Sequence, residues 1–158
     1  MRRVASWLVA AALAVGGGAV CRSDPPSPEV RIRALLESAE TALEEGDVSR
    51  VKELVSERYR DPRGNDRRGI AAYLSLLVLQ NRPLHLLSRV REVGFPEAKR
   101  AEVRVVAGMA ATPTVAGEER PRLRADVYTF DLELADEGDG DWKVVRADWR
   151  PTSAGELF

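Results

Sequence analysis

Little in this chain of 158 residues could do chemistry: one cysteine, one histidine, and carboxylates scattered among nearly as many arginines. His85 is the sole imidazole. A histidine-based triad would need a Ser or Cys nucleophile in a recognisable turn, and no Gly-x-Ser-x-Gly is present. Zinc would need at least two His or Cys neighbours, and the chain has none to offer, so neither a metal nor a cofactor is expected. Arg89 and Arg91 share a face with His85 if the segment is extended, and together the three suit an anionic ligand; a solvated strand face is the simpler expectation. Asp131, between Phe130 and Leu132, points either into a cavity or to water, with water favoured. Tyr59, Tyr73, Tyr128, Trp142 and Trp149 are large amphipathic groups of the kind that line ligand pockets and also build ordinary cores. If there is a cavity, Tyr73, Tyr128 and Trp149 are its expected walls, with His85 and Arg89 as its polar members.

The single cysteine, Cys21, excludes an intrachain disulfide and stands in a distinctive place. Arg2 and Arg3 precede an uncharged, mostly apolar run from Val4 to Val20 that closes in Gly16, Gly17, Gly18 and Ala19. A basic start, an apolar middle and a small-residue exit describe an export leader. As a helix the run would span about 25 Å, marginal against a hydrocarbon core of roughly 30 Å, so removal fits better than permanent anchoring. The exit followed by Cys21 resembles the lipobox of bacterial lipoproteins, whose cysteine is acylated and becomes the new N-terminus. Gly18 and Val20 depart from that pattern, and cleavage after Ala19 or an uncleaved anchor are the competing readings. The expected organisation is a signal peptide at 1–20, a lipidated cysteine and proline-rich tether at 21–28, a domain at 29–151 and a tail at 152–158. All three readings place the domain in the cell envelope, facing the periplasm, or secreted.

Hydrophobic residues make up 44% and charged residues 31% of the chain, a balance that folds. The net charge is -1 with no basic patch, which argues against nucleic acid as a partner. Loss of the leader removes Arg2 and Arg3 and no acid, so an anionic lipid surface would not attract what remains. The elements that must position the candidate residues follow from periodicity. Ile32, Leu35, Leu36, Ala39, Ala42 and Leu43 recur at helical spacing over 29–45, with Glu37, Glu40, Glu44 and Glu45 on other faces. Gly46 then predicts a C-terminal cap, and Asp47 an N-cap for a second helix carrying Val48, Val51, Leu54 and Val55. After a polar loop containing Pro62 and Gly64, Asn65 or Asp66 caps a third helix with Ile70, Tyr73, Leu74, Leu77 and Val78 on one face. Strands are expected at 84–93, 101–109, 123–134 and 142–149, with a hairpin turn at 136–140 and a loose tail from Arg150.

Three helices followed by antiparallel strands describe an α+β fold with its helices on one face of a curved four-stranded sheet. The segment from Tyr59 to Asp61, then Gly64, Asn65 and Asp66, an apolar helix, the stretch from His85 to Val93 and the closing Gly140 to Trp149 resemble bacterial members of the nuclear transport factor 2-like superfamily. That resemblance implies a cone: a bent sheet wrapped round the first helix, with a cavity between. The superfamily includes ketosteroid isomerase, scytalone dehydratase, polyketide cyclases and non-catalytic binding or dimerising domains, so it implies no single function. An isomerase-like member would need a carboxylate base in an apolar cavity and a Tyr to hold the oxyanion, for which Asp61 and Tyr59 are the nearest candidates. Asp61 precedes a proline in an Arg-rich loop, and a turn-capping role is the stronger expectation. The reading reached from sequence is an exported, lipid-tethered domain that binds a small apolar or anionic ligand, or a protein partner through its sheet. The alternatives are an isomerase, dehydratase or cyclase and a structural homodimer.

Overall fold

A computed structural model describes residues 25–111 and 124–158. The expected leader, Cys21 and the first part of the tether lie outside the described residues. Helix α1 (Pro28–Glu45) opens on Ser27, whose Oγ accepts from Val30 N, with Pro28 supplying a φ suited to the first turn. It closes at Gly46, whose φ of 77° lets the amide of Gly46 reach Leu43 O and that of Asp47 reach Ala42 O at 2.7 Å. Asp47 caps α2 (Val48–Glu53) through Arg50 N, and Asp66, rather than Asn65, caps α3 (Arg67–Gln80) through Gly69 N. Helix α2 is shorter than its apolar pattern predicts. Leu54 and Val55 leave it to pair with the last strand, where Leu54 O accepts from Val144 N and Ser56 N donates to Val144 O.

Four antiparallel strands follow in simple meander order: β1 (Leu84–Glu97), β2 (Arg100–Ala111), β3 (Arg124–Asp136) and β4 (Trp142–Pro151). The β3–β4 turn is built on Asp136, whose Oδ1 accepts from Gly138 N and Gly140 N. Register shifts between Val90 and Glu92, between Gly94 and Glu97, and between Glu133 and Leu134 add twist and bend the sheet. Strand β1 runs past its expected end because Phe95 packs edge-on against Trp142, ring centres 6.0 Å apart. Both sheet edges are occupied from within the chain: Glu44 Oε1 accepts from Leu86 N on β1, and the 54–60 segment hydrogen-bonds β4.

The concave face is plugged at its two ends. At one, Ile32 and Leu35 of α1 pack on Ala101, Val103, Val105, Leu134 and Trp142. At the other, Val55, Tyr59 and Ile70 pack against Val144, Ala147 and Trp149. The three-helix, four-stranded cone expected from sequence is what the chain forms.

The loose tail expected from Arg150 is a correction. Arg150 and Pro151 complete β4, Thr152 N donates to Val127 O, and residues Ala154–Leu157 form a 3-10 turn on the convex face of the sheet. There Leu157, only 7% exposed, closes a small core with Val106 and Val127. The missing side chain at Gly108 makes room for it, since a β-carbon there would come 2.9 Å from Leu157 Cδ2. Arg89 Nη1 donates to Phe158 O and Arg91 Nη2 to Glu156 O, tying the end of the chain to β1. Leu157→Ala should lower unfolding stability by about 2 kcal/mol, the low end for a buried leucine. Urea denaturation followed by far-ultraviolet circular dichroism measures this, and an unchanged midpoint would mean the terminus does not dock.

Candidate functional site

Between the two plugs lies a cavity of about 270 Å³. Helix α1 contributes Leu36, Ala39, Glu40 and Leu43, α3 contributes Tyr73, Leu74 and Leu77, Val51 of α2 and the segment after it add Leu54, Val55 and Tyr59, and the sheet supplies most of the remaining wall. Strand alternation decides which sheet residues enter. Ser88, Ala107 and Tyr128 are register neighbours in one row, and Val90, Val105, Phe130 and Trp149 form the next. The short side chain of Ala107 leaves space between Ser88 and Tyr128. The aromatic residues make a continuous wall: Tyr128 lies 6.4 Å from Phe130, Phe130 stacks on Trp149 at 6.3 Å, and Tyr73 sits 5.8 Å from Trp149. Arg63 fixes Trp149, its guanidinium 3.8 Å from the ring and its Nη2 donating to Trp149 O at 2.6 Å.

Tyr73, Tyr128 and Trp149 therefore come together at one cavity. His85 and Arg89 do not. They alternate with Leu84, Leu86 and Ser88, which face inward, so they stand exposed on the convex side, where Arg89 holds the chain terminus. Period-two spacing correctly puts His85, Arg89 and Arg91 on one face but leaves open which face it is. Asp131 is also convex, pairing with Arg104 at 2.8 Å and Arg150 at 2.5 Å. The hydrogen bond from Arg150, opposed by partial burial and aided by Arg104, holds its carboxyl below the usual range.

Asp61 and Tyr59 are close, but not as an acid–base pair would be. Tyr59 is 1% exposed and Asp61 7%. The Asp61 carboxylate is fully engaged: Oδ1 accepts from Arg63 N and Asn65 N, both at 2.9 Å, and Oδ2 from Asn65 Nδ2 at 2.9 Å and the Tyr59 hydroxyl at 3.2 Å. Burial pushes its pKa up, yet these hydrogen bonds outweigh burial and bring it below the ordinary 3.8. A base in an apolar pocket would be shifted the other way. Burial, then the neighbouring Asp61 charge, pushes the Tyr59 phenol up, so it stays a protonated donor committed to Asp61. Of the two, Tyr59 lines the cavity and Asp61 does not. The pair organises the 61–65 loop, where Gly64 takes a φ of 84°.

The polar end of the cavity comes from residues that the sequence pattern passes over. Glu40 lines the wall, and Ser88 Oγ donates to Glu40 Oε2. The clue was slight: Glu40 falls four residues after Leu36 and three before Leu43, at the border of the apolar stripe of α1 and not on the far side of the helix. Among the described residues no three His, Cys, Asp or Glu side chains gather as metal ligands.

No family model matches the sequence, and no curated protein matches it either. Solved structures do share its fold. A protein provisionally named a scytalone dehydratase, from Novosphingobium aromaticivorans, superposes with a TM-score of 0.67 at 19% identity, covering 79% of this chain and 84% of its own. A ketosteroid isomerase-like protein from Erwinia carotovora atroseptica gives 0.61 at 18% identity, over 78% and 95%. A nuclear transport factor 2-like superfamily protein from Salmonella enterica gives 0.61 at 13%, over 83% and 97%. The chain has the nuclear transport factor 2-like fold.

Because the folded carboxyl of Asp61 titrates below 3.8, its contribution to stability is complete above that pH and drains away as pH falls toward the folded value. Asp61→Asn should cost about 1–3 kcal/mol at pH 7, by turning an acceptor into a donor beside buried donors. It should also flatten the acid limb of a stability-versus-pH curve built from urea melts. A variant as stable as the parent at pH 7 would remove Asp61 from the centre of this loop.

Proposed function

We propose that this protein is an exported, membrane-tethered binding protein that holds a small apolar ligand within its cone. The observation that carries the reading is the cavity: about 270 Å³, walled by Leu, Val, Ala and aromatic side chains, with a few polar groups at fixed places. The fold is shared with structures named for a dehydratase and an isomerase, and that likeness extends to the fold alone. Against an enzyme built on Asp61 stands the carboxylate itself, saturated with donors and not among the residues that line the cavity. Against a partner or second copy docking on the convex sheet face stand its ion pairs of Arg104, Asp131 and Arg150 and its covering by Leu157.

Export and tethering rest on the sequence: Arg2, Arg3, the apolar run and Cys21 at its small-residue exit. With the cysteine acylated and residues 22–27 as a short leash, the cone works in the cell envelope on the periplasmic side. Cys21→Ala should move the protein from the membrane pellet to the soluble fraction in cell fractionation, whereas unchanged pelleting would rule out acylation as the anchor. The cavity is tested with N-phenyl-1-naphthylamine, a neutral dye that brightens in apolar surroundings. Ala107→Phe fills the gap between Ser88 and Tyr128 and should weaken dye binding by roughly tenfold or more, the cost of losing about one ring's worth of apolar burial. Its circular dichroism should stay that of the parent. Dye binding unaffected by the phenylalanine would place the ligand elsewhere.

A further inference from the structure

Glu40 is the only charged residue among the described residues that line the cavity. It projects from the C-terminal third of α1 onto the sheet, half-buried, and meets Ser88 in the row that continues through Ala107 to Tyr128. A carboxylate removed from bulk water needs partners in proportion to its burial. Asp61 shows what full provision looks like in this molecule, with four donors on two oxygens. Glu40 has one. Ser88 serves Oε2, while Oε1 receives no hydrogen bond among the described residues. Nor is Oε1 sealed, since no buried side-chain oxygen or nitrogen among the described residues lacks a partner. An accessible carboxylate oxygen thus sits at the border of an apolar space with no Arg, Lys or His on its wall among the described residues.

Resting on the ligand-binding role proposed above, we infer that the cavity selects amphiphiles carrying a protonated amine, with the ammonium on Glu40 and Ser88 and the apolar body against the aromatic wall. An ammonium gives Oε1 a charge-assisted hydrogen bond, stronger than an uncharged hydroxyl would make. The bond gains further strength as the ligand body excludes water from the cavity. Tyr128, two strands away from Ser88 across the small Ala107, presents a ring whose face also favours a cation. A fatty carboxylate would set like charge against Glu40 with no cation among the described wall residues to neutralise it. His85 and Arg89, which suggested an anionic ligand, stand on the convex face and lend this cavity no positive charge.

The test is displacement of N-phenyl-1-naphthylamine from the full-length protein by three ligands with the same tail: decylamine, decanol and decanoate. Decylamine should displace the dye at a concentration about tenfold below decanol, a difference on the scale of one charge-assisted hydrogen bond. Decanoate should be the weakest of the three. In Glu40→Gln the advantage of the amine over the alcohol should vanish, whatever the absolute strength with which the two then bind. Equal displacement by decylamine and decanol in the parent overturns the inference and leaves apolar ligand binding standing, as does an amine preference that survives in Glu40→Gln. Failure of the parent to bind the dye at all overturns the ligand-binding role, and this inference with it.

Discussion

The bend of the sheet sets the terms for everything else in this molecule. Bulges in β1 and β4 curl four long strands into a trough, and a trough cannot be covered by a single straight helix. Helix α1 fills one end with Ile32 and Leu35, and α2, α3 and the Tyr59 loop fill the other. Between them the sheet presents Ala107 where a larger residue would have completed the core. A void of this size forgoes dispersion contacts and hydrophobic burial, so each plug must be well made to keep it open. Two features serve that end at the Tyr59 side: the short parallel bridge of Val55 to Val144 and the Asp61-centred loop that seats Tyr59.

The two carboxylates near the cavity illustrate how environment separates roles for one chemical group. Asp61 is more thoroughly buried yet better solvated by the protein, with backbone and side-chain donors converging on both oxygens. Such a group is a structural anion: it orders a loop, and it has no lone pair left for a substrate proton. Glu40 is less buried and far less provided for. Proximity of an acid to a tyrosine, read from a two-residue spacing, is the same for a catalytic pair and for a loop clamp. The distinction lies in how many donors reach the carboxylate, and three of the four that reach Asp61 come from residues after Pro62 folding back.

What the sequence disclosed was whatever short-range rules govern. The cap residues Gly46 and Asp47, the apolar face of α1 and the Asp-Gly-rich turn at 136–140 all act over four or five residues, and each forms as its pattern predicts. Alternation in β3 likewise put Tyr128 and Phe130 on one face and Asp131 on the other. The failures share a cause in sequence distance. Leu157 docks on Gly108, some fifty residues away, and neither position announces the other. His85 and Arg89 share a face by a local rule, but the choice of concave or convex depends on α1, which reaches β1 from forty residues upstream through Glu40 and Glu44. The two glutamates look like solvated charges on a helix surface until the strand they meet is in place.

A convex face closed by the chain's own terminus narrows where recognition can occur. Leu157 and its neighbours cover the apolar patch of Val106 and Val127, and much of the remaining face carries ion pairs of Arg104 with Glu92 and Asp131 and of Arg150 with Asp131, although Leu87 is exposed there. Exposed pairs of this kind add little to stability, but they make a poor surface for burial, because each would have to be desolvated without gain. The concave side has the opposite character: apolar, shaped, and with a single carboxylate whose bonding is incomplete. An apolar, shaped interior with one incompletely bonded carboxylate favours binding inward. On that ground the proposed ligand is one small enough to enter the trough rather than a protein laid across the sheet.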